Sequence, residues 1–370
     1  MTKKVYLDNN ASTFMAPEVK EVITQLIQED VANPSSIHAY GQTVRNQITK
    51  ARRSIAEFLG VRPSEIVFTS GGTEALNLAL FGLIESQGPG HIITSNVEHS
   101  CVASICEHLE KKGSEVTFLP AGEYGAVNKE QVLEAIRPNT KLITLMAANN
   151  ETGVKTDIDA IAHLAEEHSI PFVVDGVCLL GKERFTIPDG VTAMAFSGHK
   201  FHAPKGIGFL VLRKSLPPHI IGGGQEADRR GGTENVIGII GLAKAVELLG
   251  QTNNRTQELR DRLEKGLIDA LSHVVVNGKG PRIPNTTNLS FPGIDGDSLL
   301  MNLDLQGIAV SHGSACSSGA LEPSRILLNM GVQKEVANTS IRISLSRYTT
   351  EEEVNYSLEQ IIRIVKMMNG

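Results

Sequence analysis

Short β-rich runs alternate with amphipathic stretches between residues 60 and 215, and this alternation narrows the folds open to the chain. The β-rich runs are apolar on both faces, which is typical of strands inside a sheet that helices cover on both sides. We therefore predict an α/β fold with a mostly parallel sheet, in which ligands bind beyond the carboxyl ends of the strands. The predicted strands are 65–69, 91–95, 141–145 and 171–175, and the predicted helices are 74–83, a stretch after His99, and 157–168.

A smaller α+β unit is predicted after residue 250. The polar stretch 251–254 lies between two helical stretches and indicates a boundary. We predict a large domain over residues 15–250 and a small domain built from residues 1–14 and 251–370, which a chain of 370 residues can accommodate. The strands predicted in the small domain are 274–276, 287–291 and 341–345, and its closing helix is 351–368.

Composition excludes several classes of protein. The net charge is −6 and the basic residues are scattered, so no direct nucleic-acid binding is expected. The longest apolar run, Val236 to Gly250, contains Lys244 and Glu247 and is too short and polar for a bilayer. We expect a cytoplasmic protein. Its four cysteines have neither metal-ligand spacing nor a disulfide pattern, so we expect no metal site.

Lys200 and Asp175 form the most informative pair. Asp175 ends the strand-like run that begins at Phe172, and Lys200 follows the run Ala195-Phe196-Ser197-Gly198-His199. A lysine that binds pyridoxal phosphate covalently needs an acidic partner for the pyridine nitrogen of the cofactor. The alternative is a surface lysine in a turn, which most lysines are.

Other polar segments follow predicted strands at the same edge of the sheet. Thr69-Ser70-Gly71-Gly72-Thr73-Glu74 is a glycine turn before a helix and suits a phosphate, although Thr73 as a simple helix cap is an alternative. His99 could move protons over a cofactor ring, or it could be a capping or core histidine. The amides of Asn149 and Asn150 also follow a strand, where turns favour asparagine for other reasons.

Cys316 lies among small residues in Gly313-Ser314-Ala315-Cys316-Ser317-Ser318-Gly319. This context offers a thiol no apolar neighbours and favours an exposed nucleophile. Cys101 and Cys106, by contrast, alternate with apolar residues on a helix and are predicted to be buried.

Taken together and in this order, these segments resemble the cysteine desulfurases of the NifS and IscS kind, which are fold-type-I pyridoxal-phosphate enzymes of the class-V aminotransferase group. The resemblance implies a seven-stranded type of sheet, like that of aspartate aminotransferase. The segments that carry it are 6–11, 33–38, 69–77, 149–154, 197–208, 231–235, 313–319 and 340–342.

The resemblance also implies a role for each site residue. Lys200 would hold the cofactor, Asp175 its ring nitrogen, and Arg342 the substrate carboxylate, with Asn150 near both cofactor and substrate. His99 would stack on the ring and act as an acid–base group, and Cys316 would accept sulfur. The implied catalytic residues are Lys200, Cys316 and His99. The implied cofactor-binding residues are Gly72, Thr73, His99, Asn150, Asp175, Cys178, Ser197, His199, Lys200 and, from the partner subunit of a homodimer, Thr233.

The implied reaction converts L-cysteine to L-alanine and leaves a persulfide on Cys316, which passes to sulfur-acceptor proteins of iron–sulfur cluster assembly or tRNA thiolation. A selenocysteine lyase or an aminotransferase of the same fold is the alternative. A dinucleotide-binding or scaffold protein is a further alternative. The absence of a Gly-x-Gly-x-x-Gly turn after the early strands counts against dinucleotide binding.

The sequence departs from the family at Cys178, where the third residue after the aspartate is usually a glutamine that donates to the phenolic oxygen of the cofactor. A thiol is a weaker donor. We therefore expect Cys178→Gln to move the pH midpoint of the absorbance of the bound cofactor. A spectroscopic pH titration of both proteins measures this, and identical curves would refute it.

Overall fold

The computed structural model describes residues 3–29, 31–250, 255–313 and 323–369. Short 3₁₀ turns occupy Pro63–Glu65, Gly122–Tyr124, Gly198–Lys200 and Gln225–Asp228. The strands are β1 Val5–Tyr6, β2 Ile66–Thr69, β3 His91–Ser95, β4 Glu115–Leu119, β5 Thr140–Met146, β6 Phe172–Asp175, β7 Val191–Ser197, β8 Gly208–Leu212, β9 Val275–Val276, β10 Thr286–Ser290, β11 Ile308–Ala309 and β12 Ser340–Ser344. The helices are α1 Pro17–Gln28, α2 Ala39–Leu59, α3 Gly72–Gln87, α4 Ser100–Lys111, α5 Lys129–Ala135, α6 Ile158–Glu167, α7 Val236–Leu249, α8 Thr256–Ala270, α9 Gly296–Leu305, α10 Arg325–Asn329, α11 Lys334–Ala337 and α12 Glu351–Asn369.

The large sheet has seven strands in the order β2-β8-β7-β6-β5-β3-β4. All neighbouring pairs are parallel except those of β8, which runs antiparallel to both β2 and β7. The prediction of a mostly parallel seven-stranded sheet is therefore confirmed. The sequence did not single out β8, because its direction depends on the return of the chain after β7 rather than on a local pattern.

The start of β8 brings two other strand ends together. Gly208 lies opposite Thr69 of β2 on one side and Ser197 of β7 on the other. A Cβ at position 208 would lie 2.5 Å from the Phe196 carbonyl oxygen and 2.7 Å from the Gly71 Cα atom. Glycine at this position therefore allows the turn after β2 to lie directly against the end of β7.

Helices cover both faces of this sheet, as the pattern of apolar residues predicts. On one face, α2, α6 and α7 pack on side chains that include Phe172 and Val174. On the other face, α3 and α4 pack on side chains that include Val173. Side chains of a strand alternate between the faces, so each buried strand supplies apolar residues to both cores.

The C-terminal part of the chain builds a separate core around an antiparallel sheet in the order β12-β10-β9. Helices α8, α9 and α12 pack on this sheet, and the N-terminal strand β1 joins the same core through parallel pairing with β11. The N-terminal segment therefore crosses from this core to the large sheet, and the residues after β1 pass close to Lys200. None of the helices in the described ranges is long and apolar enough to cross a membrane.

Two leucines of α9 provide a matched test of this second core. Leu303 is 0% exposed and Leu305 is 72% exposed. We expect Leu303→Ala to lower the free energy of unfolding by about 2–5 kcal/mol, because it removes buried methyl groups and leaves a cavity. Leu305→Ala is the control and should change it by less than about 0.5 kcal/mol. Denaturant unfolding of both variants measures this, and equal losses would contradict the assigned packing of α9.

Candidate active site

The carboxyl ends of several parallel strands meet at one edge of the large sheet. Asp175 ends β6, Ser197 ends β7, and Thr69 ends β2. Lys200 follows β7 directly in the 3₁₀ turn Gly198–Lys200. Because β6 and β7 are adjacent and parallel, with Asp175 opposite Ala195, the predicted acid and amine lie in the same site.

Asp175 is fully buried, and its Oδ1 accepts a hydrogen bond from the Val177 N–H at 3.0 Å. Burial raises the pKa of this carboxyl, and the nearby His99 and Lys200 oppose that rise. A buried carboxyl of this kind favours a partner that shares its proton, such as a pyridine nitrogen.

The Lys200 side chain is half-buried under the N-terminal segment. Its Nζ donates to the Asn10 carbonyl at 2.5 Å and to the Ala11 carbonyl at 3.2 Å. The preceding residue, His199, accepts at its own carbonyl from the Thr13 N–H at 2.8 Å. These bonds attach the lysine turn to a segment nearly 190 residues away in the sequence.

The glycine turn leaves the start of a 16-residue helix open. Gly71 is the N-cap of α3, and no side chain caps the helix, so Thr73 is not its cap. The Ser197 Oγ would lie 3.5 Å from a Cβ at position 71. Unpaired N–H groups, a helix dipole and nearby hydroxyls together favour an anion such as phosphate.

The His199 Nδ1 lies 3.3 Å from the Ser12 Oγ. Burial lowers the pKa of His199 to about 4, and the Lys200 charge adds to this effect. The imidazole is therefore neutral at pH 7 and can donate or accept a hydrogen bond at this position.

His99 is the N-cap of α4, and its Nδ1 accepts a hydrogen bond from the Cys101 N–H at 3.1 Å. In the neutral ring this bond places the proton on Nε2. Burial lowers the pKa of His99, while the Asp175 carboxylate opposes the change and the Lys200 and Arg325 charges add to it. The sequence left open whether His99 caps a helix or serves the site. It caps α4, and its ring is close enough to Asp175 and Lys200 for their charges to act on it.

Asn150 and Arg342 lie side by side under the N-terminal segment. Arg342 is 1% exposed and donates from Nη1 to the Asn150 carbonyl at 3.1 Å and from Nη2 to the Asp8 carboxylate at 2.7 Å. Among the described residues, the buried Arg342 Nε and Asn150 Oδ1 have no hydrogen-bond partner. Buried polar atoms without partners are costly, so these two atoms mark unused binding capacity.

The cysteines occupy different environments. Cys178 is buried, and burial raises its pKa, with Lys200 and Asp175 among the charges around it. Cys106 is buried as predicted, but Cys101 is only half-buried, because its Sγ lies at the start of α4, 4.0 Å from the Thr73 carbonyl. Cys316 lies outside the described residues, although Gly313 and Ser324, which flank that stretch, lie close together.

Thr233 is exposed beside the glycine turn, where it lines a small cleft with Ser70 and Arg230. Within the described ranges, no hydrogen bond joins Thr233 to Lys200 or to Ser197. The other predicted residues Gly72, Thr73, His99, Asn150, Asp175, Cys178, Ser197, His199, Lys200 and Arg342 surround one site.

Sequence reasoning missed several residues of this site. Glu98 is fully buried behind His99, and Lys182 donates to the Lys200 carbonyl at 2.9 Å. Glu151 is buried and accepts a hydrogen bond from the Ser324 hydroxyl. Arg325 donates to the Glu98 carbonyl at 2.6 Å. Neither Glu98 nor Lys182 stands out by a local pattern, because Glu98 lies among polar residues and Lys182 begins the charged run 182–184.

The residues fit pyridoxal phosphate. The uncapped start of α3 with Ser197 beside it suits the phosphate, the buried Asp175 suits the ring nitrogen, and the Asn150 amide has a buried oxygen to spare. Lys200 supplies the amine between them. Within the described ranges, no group of three or more His, Cys, Asp or Glu residues is placed to hold a metal ion.

The fold and this site define a pyridoxal-phosphate enzyme of fold type I. The chain matches the family described as aminotransferase class-V over residues 5–356, and it belongs to that family. The cofactor is pyridoxal 5'-phosphate.

Similar proteins cover the whole chain. Cysteine desulfurase IscS of Dictyoglomus turgidum (strain DSM 6724 / Z-1310) is 42% identical over an alignment of 379 positions that covers 100% of this chain and 96% of that protein. A solved NifS-like protein is 35% identical with a TM-score of 0.90 and covers 99% of this chain and 100% of its own. A structure of SspA in complex with cysteine is 37% identical with a TM-score of 0.85, and covers 94% and 100%.

Glu98 makes the stability of the protein depend on pH. Burial raises the pKa of Glu98 to about 8, although the Ser95 hydroxyl donates to its Oε1 at 2.6 Å. Because the folded-state pKa exceeds the unfolded value, its contribution is fully present below about pH 4.5 and is lost as the pH rises through about 8. We expect Glu98→Gln, which cannot ionise, to gain stability relative to the wild type between pH 5 and pH 8.5. Thermal unfolding at both pH values measures the change.

The control for this prediction is Glu110→Gln on the exposed side of α4, which should show the same difference from the wild type at both pH values. A Glu98→Gln protein whose difference from the wild type is also constant with pH would show that Glu98 ionises normally in the folded protein.

Proposed function

We propose that the chain is a pyridoxal-phosphate-dependent L-cysteine desulfurase, which converts L-cysteine to L-alanine and carries the sulfur as a persulfide on Cys316. The observation that carries the proposal is the convergence of Lys200, Asp175 and the open start of α3 at one sheet edge. The cysteine desulfurase names of relatives that match the full length of the chain support the choice of substrate.

The proposed cofactor site follows from the geometry. Gly72, Thr73, Ser197 and His199 hold the phosphate, and Asp175 holds the ring nitrogen, because it is the buried carboxyl at this position. The bound cofactor supplies an electron sink for the substrate. The remaining cofactor contacts are His99, Asn150, Cys178 and Lys200.

His99 and Lys200 are the groups that we propose to move protons. His99 presents its Nε2–H because Nδ1 accepts from the Cys101 backbone, and its lowered pKa keeps the ring neutral and able to exchange a proton. The Lys200 amine, in the turn next to Asp175, would take and return a proton at the substrate Cα.

Arg342 is the proposed partner of the substrate carboxylate. Its guanidinium is rigidly held by Asp8 and by the Asn150 carbonyl, while its buried Nε has no partner among the described residues. A carboxylate is the group that a guanidinium binds most specifically, and Asn150 adds a second polar contact beside it.

Cys316 is the proposed sulfur acceptor. Its thiolate attacks the substrate sulfur and forms the S–S bond of the persulfide while the Cβ–S bond of cysteine breaks, and a proton is added at Cβ to give alanine. The thiol is not described, but the residues at either end of its segment lie at the site: a Cβ at Gly313 would lie 3.6 Å from the Ser324 Cβ and 4.0 Å from Glu151 Oε2.

The first test replaces the amine. We expect Lys200→Ala to lose the cofactor absorbance after dialysis and to lose desulfurase activity, because no amine is left to bind the cofactor covalently. The control Lys205→Ala changes an exposed lysine further along the connection between β7 and β8 and should keep both. In the wild type, borohydride reduction followed by peptide mass spectrometry should find the cofactor on Lys200, and a label on any other lysine would refute the assignment.

The second test replaces the thiol. We expect Cys316→Ala to bind the cofactor normally but to lose about 10³-fold or more of its alanine production from cysteine. Cys106→Ala, which changes a buried thiol of α4, is the control and should stay active. Mass spectrometry of the wild type after incubation with cysteine should find one added sulfur on Cys316. An aminotransferase would keep its activity in Cys316→Ala, so that outcome would favour the alternative function.

We also propose a homodimer with shared sites. Large apolar side chains are exposed in two segments near the glycine turn and α2, namely Ile37 (93%), Tyr40 (78%) and Ile221 (87%). Exposed apolar clusters of this kind favour an interface between subunits. The Gly231 N–H donates to the Ile220 carbonyl at 2.8 Å, so Thr233 lies near the segment of Ile221, and we propose that it reaches the phosphate of the partner subunit.

Mixed dimers test the sharing of sites. Lys200→Ala and Thr233→Ala should each be impaired alone, but a mixed dimer contains one site with both residues intact. Refolding the two variants together at equal amounts should recover roughly a quarter of the wild-type activity, since half of the dimers are mixed and each has one intact site. No recovery would place Thr233 in its own subunit's site or outside any site.

Three finer features complete the proposal. We propose iron–sulfur scaffold or tRNA-thiolation proteins as sulfur acceptors and the cytoplasm as the compartment, because free thiols such as Cys106 and Cys178 suit reducing conditions.

We propose a large domain of residues 15–250 and a small domain of residues 1–14 and 251–370, which the separate cores of the large sheet and of the β12-β10-β9 sheet support. The boundary at 251–254 lies outside the described residues.

A further inference from the structure

We propose that Lys182 is a positioning residue for Lys200: it holds the main chain of the catalytic lysine and places a second buried positive charge beside it. The proposal rests on the function proposed above for Lys200, but its test includes a measurement that requires neither cofactor nor desulfurase activity.

The backbone of the turn after β6 brings Lys182 to Lys200. Gly181 has a φ of +81°, and a Cβ there would lie 2.6 Å from the Phe201 Cβ. The glycine therefore allows the main chain at 181 to pack directly on the residue that follows Lys200. From this position the Lys182 Nζ donates to the Lys200 carbonyl at 2.9 Å.

The buried charge of Lys182 is energetically unfavourable at this position. It is only 9% exposed, and the ion pairs within the described ranges do not include it, because the adjacent Glu183 is paired with Lys155 at 3.0 Å. Burial lowers its pKa to about 8. A methionine or leucine would fill the same space without the cost of a buried charge, so apolar packing does not account for a lysine here.

A cavity of about 280 Å³ lies next to Lys182 at the junction of the two cores, with His202, Asn285 and Arg347 in its wall. Its polar lining lets water reach the N–H groups of Lys182 that the Lys200 carbonyl does not use. Burial lowers the pKa of His202 to about 3, so its imidazole is neutral at pH 7. Glu183, Arg184 and Arg347 also line this cavity, and the Glu183 carboxylate is paired with Lys155 rather than with Lys182.

The charges around the two lysines are unbalanced. Asp175 is the carboxyl among the groups whose charges act on Lys200, and burial raises its pKa. The positive charges of the two lysines repel each other, and the Lys200 charge adds to the lowering of the pKa of Lys182 by burial. Several titratable and charged groups surround the two lysines, namely Cys178, Asp175, His99, His199, His202 and Arg347. The Lys205 charge acts on His199.

Three substitutions separate the charge from the hydrogen bond. Lys182→Met removes both, Lys182→Gln keeps a donor without the charge, and Lys182→Arg keeps both. Lys155→Met is the matched control, since it removes the neighbouring lysine that pairs with Glu183 and does not contact Lys200.

The first readout is the pH midpoint of the absorbance of the bound cofactor. We expect a rise of about one pH unit in Lys182→Met and Lys182→Gln, because a neighbouring positive charge is lost, and little change in Lys182→Arg or Lys155→Met. The second readout is acetylation of Lys200 in the cofactor-free protein at fixed pH, followed by mass spectrometry. It should slow by about tenfold in Lys182→Met and Lys182→Gln.

Each outcome supports or contradicts the proposed role of Lys182. A change in Lys182→Met that Lys182→Gln does not share assigns the effect to the hydrogen bond and removes the charge from the proposal. Unchanged midpoints and labelling in both variants, with only a lower thermal stability, would overturn it in favour of a purely structural lysine. If Lys182→Met does not fold, Lys182→Gln and Lys182→Arg still give the comparison. If the wild-type protein shows no desulfurase activity, the proposed function is wrong, but the acetylation experiment still tests the role of Lys182.

Discussion

The parallel pairing of β6 with β7 is the constraint on which the site depends. It places Asp175 opposite Ala195, so the carboxyl at the end of one strand lies next to the turn that carries Lys200. A shift of one residue in this register would move Asp175 to the opposite face of the sheet and separate the acid from the amine. The apolar residues of both strands, buried on two faces, fix the register because a shift would exchange the two cores.

Charge is distributed unevenly around this pair. Lys200, Lys182, Arg342 and the open start of α3 all favour negative charge, whereas Asp175 is buried between them with a raised pKa. The protein alone therefore has costly buried groups, including Arg342 Nε and Asn150 Oδ1, which have no partner among the described residues. An anionic cofactor and a substrate with a carboxylate would stabilise this arrangement, because they supply the missing negative charge and an acceptor for the Arg342 Nε–H.

Most helices and strands of the large sheet follow from local patterns. The predicted strand 91–95 matches β3, and the predicted helix 74–83 lies within α3, which extends further at both ends. The strands β4, β7 and β8 were not predicted. Nor was the pairing of β1 with β11, which depends on how distant segments meet. The same reason explains the error at Cys101, whose exposure depends on where α4 begins relative to Thr73.

The sequence by itself determined the class of fold, because strand, helix and glycine-turn patterns are local. It indicated the cofactor and the residue types of the site through the ordered set of segments that resembles a known family, whereas the lysine and the acid alone left a surface lysine as an alternative. Only the tertiary structure decided that Asn10 and Ala11 accept from Lys200, that Glu98 lies behind His99 and that Lys182 holds the Lys200 carbonyl. These contacts join residues that sheet order and chain crossing bring together. No pattern within a short stretch of sequence encodes the distance between them.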